Sequence, residues 1–296
     1  MRIVSLVPHA TELLFALGLG EDVVGVTHEC DYPEAAREIQ PVTHDVLPAG
    51  LSAAEIDAAV RERSAAGDSI YELDEELLRE LEPELIVTQA LCNVCAVSHD
   101  EVQAIAVTLD EPPRVISLDP KTYGETLGDV RTIAQATDTK DAALDLIART
   151  ARRADIIRLA VRDVARPRVV ALEWLDPVFV AGHWTPQLIE MAGGDDVLGL
   201  PGEPSAQSTW EMVAAAQPDV IVVMPCGYDA ARGVVEAEQH ARELRAAGTG
   251  RVVAVDASSY FSRPGPRLID GLELLAHILH PGRVPSAPAE ALTVEL

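Results

Sequence analysis

The chain is almost without lysine: Lys121 and Lys140 are the only two among its 296 residues, so nearly all of its positive charge is arginine. Acidic residues outnumber basic ones 48 to 23, for a formal charge of -25. A surface of that sign repels polyanions and anionic lipid, which excludes nucleic acid as a partner. The arginine bias fits either a GC-rich or a salt-adapted source. Long apolar runs are missing too, and none approaches the roughly 20 residues that a membrane span requires. There is no Gly-x-Gly-x-x-Gly after a strand, no Walker glycine-lysine loop, no Gly-x-Ser-x-Gly elbow and no His-Glu-x-x-His. The usual nucleotide and hydrolase readings lose their support, and no catalytic residue is assigned. The start lacks the unbroken apolar stretch of a secretory signal: Met1 to Leu6 reads as a buried strand, and His9, Thr11 and Glu12 interrupt the next apolar stretch. We expect a cytoplasmic chain, or a periplasmic one if a leader has been removed. In a reducing compartment four cysteines serve as metal ligands, redox groups or core residues rather than disulfides.

What is present is a regular alternation. Short β-branched runs recur between helical patterns, the mark of α/β architecture with parallel sheets. In the first half the expected strands are Arg2 to Leu6, Asp22 to Thr27, Leu85 to Gln89 and Arg114 to Leu118. In the second they are Arg168 to Trp174, Asp219 to Met224 and Arg251 to Asp256. Both halves enter a strand through a proline flanked by acids or amides, as Glu82-Pro83-Glu84 and Gln217-Pro218-Asp219. Between them, Ala143, Ile147, Ala151, Ala154, Ile157 and Val161 repeat at three- and four-residue steps, one face of a helix over 141–164. At 1.5 Å per residue it would span roughly 35 Å. The expected fold is two Rossmann-like α/β lobes on a long backbone helix: 1–122, a connecting segment 123–166, and 167–296. After Pro281 we expect a loosely packed end.

The cysteines stand just past strand ends: Cys30 after the second strand, Cys92 and Cys95 after the third, Cys226 after Val220 to Pro225. In an open parallel sheet ligands bind beyond the carboxyl ends of the strands, so one rule brings all four toward a site. Thiolates favour zinc or an iron-sulfur cluster, whereas the plain alternative is buried, reduced cysteine. Among histidines, His28 ranks first, two residues before Cys30, then His183; His9 opens a helix. Neutral imidazole ligates zinc, iron or cobalt, and more often it simply hydrogen-bonds within a loop. Aromatics make up 4% of the chain, yet most lie in the second half. Trp174 and Trp184 fall at expected loop positions where a flat macrocycle could be covered, and Tyr228 follows Cys226. Arg263, before the last helix, suits an anionic group.

These residues together resemble a known family. Arg2 to Glu12, Pro83 to Val87, the long connecting helix, Ala192-Gly193-Gly194 and Gln217 to Ile221, in that order, are similar to the class III periplasmic-binding-protein fold, the helical backbone metal receptors, and within it the vitamin B12-binding branch. The resemblance implies a binding protein that holds a metal-containing small molecule in an interdomain cleft, cobalamin or another corrinoid first and a ferric chelate second. His9, His28, Trp174, His183, Trp184, Tyr228 and Arg263 are the candidate ligand-binding residues. It also implies delivery to an ABC permease if the chain is exported. The other reading is a cytoplasmic iron-sulfur or zinc protein, or a redox enzyme built on one, ligating metal through Cys30, Cys92, Cys95 and Cys226.

Overall fold

Each β-branched run expected from the sequence is a strand in the computed structural model, which describes residues 1–296 except 49, 52, 67, 68, 91–96, 98, 249, 250, 290 and 296. The chain divides into two units, one of Met1–Pro120 with Leu127–Leu146, the other of Lys121–Thr126 with Ile147–Leu296.

The first unit begins with strand β1 (Ile3–Ser5), helix α1 (Pro8–Ala16) and strand β2 (Val23–Gly25). A hairpin-like pair comes after it, β3 (Thr43–Asp45) and β4 (Tyr71–Leu73), with α2 (Ala53–Ala66) between them and α3 (Glu75–Glu80) after. The unit continues with β5 (Leu85–Thr88), α4 (His99–Ala106) and β6 (Arg114–Ser117). The sheet runs β2-β1-β5-β6, all parallel, with Ile3 opposite Leu85 and Ile86 opposite Val115. All four residues of β5 are buried, as expected of a central parallel strand covered on both faces. Val4, Leu6, Leu78, Ile86 and Val102 form the core on one side of it.

Helices α5 (Tyr123–Thr137) and α6 (Lys140–Ala160) come next, each shared between the units. The periodic stretch 141–164 is therefore helical to Ala160, and Val161 closes its last turn on the Ile157 carbonyl at 3.1 Å.

The second unit holds β7 (Arg168–Leu175), β8 (Val178–Val180), α7 (Thr185–Met191), β9 (Asp195–Asp196), β10 (Ala206–Gln207) and α8 (Trp210–Ala215). It continues with β11 (Val220–Val223), α9 (Ala230–Gln239), α10 (Ala241–Ala246), β12 (Val252–Val255), α11 (Ala257–Tyr260), α12 (Leu268–Leu279) and β13 (Ala291–Thr293). The sheet order is β10-β8-β7-β11-β12-β13, with β9 also pairing β7. The tail is not loose as expected: β13 pairs antiparallel with β12, and Val294 is buried in the core with Ile221, Val252 and Ala254. Its apolar residues find the open edge of β12, which outweighs the two nearby prolines.

Both units use one device at the strand entrance. The backbone N–H of Arg2 donates to Glu84 Oε2 at 2.7 Å, and its Nε donates to the Leu81 carbonyl at 2.6 Å. In the same way the N–H of Arg168 donates to Asp219 Oδ2 at 2.7 Å and its Nε to the Ala216 carbonyl at 3.1 Å. Glu82 and Gln217, each just before the proline, sit at φ 42° and φ 46°. A non-glycine residue there costs about 1–3 kcal/mol, which the fixed arginine and acid on either side offset.

Candidate functional site

In the first unit, the segment leaving β2 lies beside the turn from β1 into α1. A run of buried polar groups connects them. Thr11 Oγ1 donates to Ser5 Oγ at 2.8 Å, and Cys30 Sγ lies 3.1 Å from both Thr11 Oγ1 and Thr27 Oγ1. Cys30 is 5% exposed, so its sulfur is a packed member of this network. His9, in the first turn of α1, is buried as well.

His28 is placed differently. It is exposed, and its backbone N–H meets Thr43 Oγ1 at 3.2 Å while its ring Nδ1 lies 2.8 Å from the same oxygen. Tyr71 approaches the ring edge-on, centroid to centroid 4.9 Å, and donates its hydroxyl to Glu29 Oε1 at 2.9 Å. A small open hollow lies here, lined among others by Pro8, Thr27, His28, Glu29, Thr43 and Tyr71. The pairing of β3 with β4, Asp45 opposite Tyr71 and Thr43 opposite Leu73, delivers Thr43 and Tyr71 together. Neither residue stands out in the sequence, because α2 separates the two strands and no short turn marks the pair.

In the second unit, the carboxyl ends of β7, β11 and β12 gather a different set. Trp174 belongs to β7, as the strand expected over Arg168 to Trp174 has it, and pairs with Phe179 instead of standing on an open loop: the Asp176-Pro177 turn sends the chain straight back as β8. The register shifts between Leu172 and Trp174, and the Glu173 carbonyl accepts the N–H of Cys226 at 3.2 Å. Trp174 and Tyr228 then meet edge to face at 5.5 Å. The guanidinium of Arg232 covers the Tyr228 ring at 3.7 Å, a favourable cation–π contact. Burial pushes the Tyr228 hydroxyl pKa up. Arg232 was missed from sequence, although its place four residues after Tyr228, in the first turn of a helix capped by Asp229, is a readable signal.

His183 and Trp184 lie on the turn into α7. His183 adopts φ 51°, held by its N–H to the Glu203 carbonyl at 2.6 Å and by the Gly202 N–H to its own carbonyl at 2.9 Å. Burial, then the nearby charge of Lys121, hold its imidazole pKa below the usual value, so it is neutral at neutral pH. Trp184 is 5% exposed and donates its indole N–H to the Phe261 carbonyl at 2.8 Å, which pins the turn to the loop after α11. That ring braces the fold and offers no open face. Arg263 is half-buried in the same loop, and Gly227 N–H reaches Ser262 Oγ at 3.4 Å. Cys226 is exposed, whereas Cys92 and Cys95 lie outside the described residues. Among the described residues no three of His, Cys, Asp and Glu are grouped to hold a metal ion, and no helix is long and apolar enough to cross a membrane.

With this geometry in place, comparison with known proteins gives a consistent picture. The sequence profile described as periplasmic binding protein matches residues 3–258. The vitamin B12-binding protein of Vibrio cholerae is 26% identical over 289 residues, covering 92% of this chain and 86% of that protein. An uncharacterised ABC transporter substrate-binding lipoprotein of Bacillus subtilis, YvrC, is 25% identical over 294 residues, covering 95% and 80%. The apo periplasmic heme-binding protein RhuT from Roseiflexus sp. RS-1 superposes with a TM-score of 0.71 at 25% identity, covering 95% of this chain and 98% of that one.

Proposed function

The chain belongs to the periplasmic binding protein family and has the helical-backbone form of that fold, and from this premise we propose that it is a solute-binding protein for a metal-containing small molecule. A corrinoid such as cobalamin is the first candidate, an iron porphyrin or another ferric chelate the second. The observation that carries the reading is the extent of the likeness: the relative named for vitamin B12 aligns with 92% of the chain, so both units take part in the similarity.

The site chemistry supports it. A tetrapyrrole presents a broad apolar face rimmed by amides or carboxylates. Half-buried Trp174 and exposed Arg232, set by buried Tyr228, supply an aromatic edge and a fixed cation. Arg263 and neutral His183 stand on the neighbouring loops of the same unit, and His28 stands in the hollow of the first. The reading also implies an ABC permease as partner and work outside the cytoplasmic membrane, in line with relatives named periplasmic or lipoprotein. It departs from the cytoplasmic expectation in that respect.

Isothermal calorimetry and absorbance titration with cyanocobalamin, hemin and a ferric trihydroxamate test the proposal. Saturable binding of at least one is expected. Arg232→Ala together with Trp174→Ala should weaken it roughly tenfold or more, since each removes a contact worth about 1 kcal/mol or above. Failure of all three ligands to bind at high micromolar concentration refutes it.

A further inference from the structure

We propose that the indole N–H of Trp174 is a hydrogen-bond donor kept for the solute, which therefore carries a carbonyl or carboxylate oxygen on its rim and docks it against the second unit beside Arg232. The inference rests on the solute-binding reading above and narrows it.

The fold treats two neighbouring tryptophans differently. Trp184 is buried and donates its N–H to the Phe261 carbonyl at 2.8 Å. Trp174 Nε1 is also closed off from solvent, yet among the described residues nothing accepts its proton. An indole nitrogen donates and does not accept, so a single oxygen would satisfy it. A buried donor in this state has given up its hydrogen bond to water and gained none in return, a cost to the folded chain. Such a group calls for an explanation, and a ligand that brings the missing oxygen is one.

The position fits that role. Trp174 stands at the carboxyl end of β7, just after the shift in register that follows Leu172. A shift of this kind re-aims a side chain and recurs next to active sites. The ring set edge-on to the indole is that of Tyr228, at 5.5 Å, and the Arg232 guanidinium lies over Tyr228 at 3.7 Å. The backbone of Tyr228 is fixed on both sides: its N–H donates to the Pro225 carbonyl at 3.0 Å, and its carbonyl accepts the Ser258 N–H at 3.1 Å. What can turn is the side chain. Arg232 is exposed and long, so an oxygen on the solute draws its guanidinium off the Tyr228 ring. The ring then tilts, and the same oxygen-bearing group reaches the indole.

The donor sets the solute class. The carboxylates of an iron porphyrin and the amide carbonyls of a corrinoid both supply such an oxygen at the rim, whereas a porphyrin substituted only with alkyl groups does not. A site that leaves its buried donor unpaired discriminates against that analogue.

The intact protein is titrated with cyanocobalamin, hemin and iron octaethylporphyrin, the last without rim oxygens. Hemin or cyanocobalamin is expected to bind roughly tenfold tighter than the alkyl porphyrin, and Trp174→Phe should remove that preference by weakening the oxygen-bearing ligand alone. Nuclear magnetic resonance of the nitrogen-15-labelled parent chain reads the donor directly. The Trp174 indole resonance, identified by its loss in W174F, should move downfield when cyanocobalamin or zinc protoporphyrin is added, both being diamagnetic. A resonance that a bound solute leaves in place, or a preference for rim oxygens that W174F retains, overturns the inference while the solute-binding reading stands. If no solute binds, both fall.

Discussion

Arg153 holds Glu273 in a two-pronged grip, Nε to Oε1 and Nη2 to Oε2, both at 2.8 Å, while the same Nη2 reaches Asp270 Oδ1 at 2.5 Å. One guanidinium thus ties α6 to two acids one turn apart on α12. Those hydrogen bonds, Glu273 first, push the arginine pKa above its already high value. Lysine has no planar fork and cannot reproduce the arrangement. Arg153→Lys should lower stability by about 1 kcal/mol and Arg153→Ala by about 1–3 kcal/mol, the second leaving two half-buried carboxylates facing each other. Denaturant melts measure both. Equal stability of Arg153→Ala and the parent chain would show that the clamp contributes nothing.

His183 gives stability a pH dependence of known sign. Its folded pKa is depressed from 6.5 by burial and by Lys121, so the unfolded chain takes up the proton more readily. That contribution is intact above the unfolded value and is lost as pH falls from 6.5 through the folded one. Asn tolerates a left-handed backbone, so His183→Asn is the suitable comparison. Thermal melts at about pH 7.5 and about pH 5 should show a smaller acid loss for the variant, and an unchanged loss would assign the effect elsewhere.

Asp196 works in the opposite direction. Burial raises its pKa from 3.8, against the lowering effect of the N–H groups of Gly199 and Leu198 on Oδ1 at 2.7 Å and 3.1 Å. The folded state keeps the proton longer, so this stabilisation is present in acid and disappears as pH rises through the folded pKa. Asp196→Asn keeps an acceptor for both N–H groups and removes the buried charge. We expect a melting temperature about 2–4 °C higher at about pH 7.5, for a gain of about 1 kcal/mol, converging with the parent near about pH 4.

Gly182 is irreplaceable on steric grounds. A Cβ there would lie 2.4 Å from the Glu203 carbonyl oxygen and 2.6 Å from Ser205 N, both backbone atoms that cannot step aside. Gly182→Ala should cost about 1–3 kcal/mol or more and displace His183, whose N–H bonds that same carbonyl. Solute affinity and the histidine ring resonances of the variant report the displacement directly.

The strands and the long helix were legible because burial on both faces of a parallel sheet, or on one face of a helix, writes itself into local composition. Val220–Val223 and Val252–Val255 could hardly be anything else. What stayed hidden depends on partners distant in sequence. Thr43 and Tyr71 become neighbours only through a strand pairing across α2, and Trp184 is buried because the Phe261 carbonyl, 77 residues on, accepts its N–H. Cys30 illustrates the same limit. Its position past a strand end was readable, but its two hydroxyl neighbours were not, and those make it part of the packed interior.

The matched arginine–acid entrances also measure the chain against itself. The pair is 82 residues apart in the first unit and 51 in the second. Aligned at these entrances, β1, β2, β5 and β6 correspond to β7, β9, β11 and β12, and the surplus length of the first copy falls where α2, β3 and β4 lie. Thr43 and Tyr71 sit on that surplus. A scaffold built twice from one plan differs between its copies chiefly over residues 26–74, and the expectation to check by comparison is that relatives taking other solutes diverge most there.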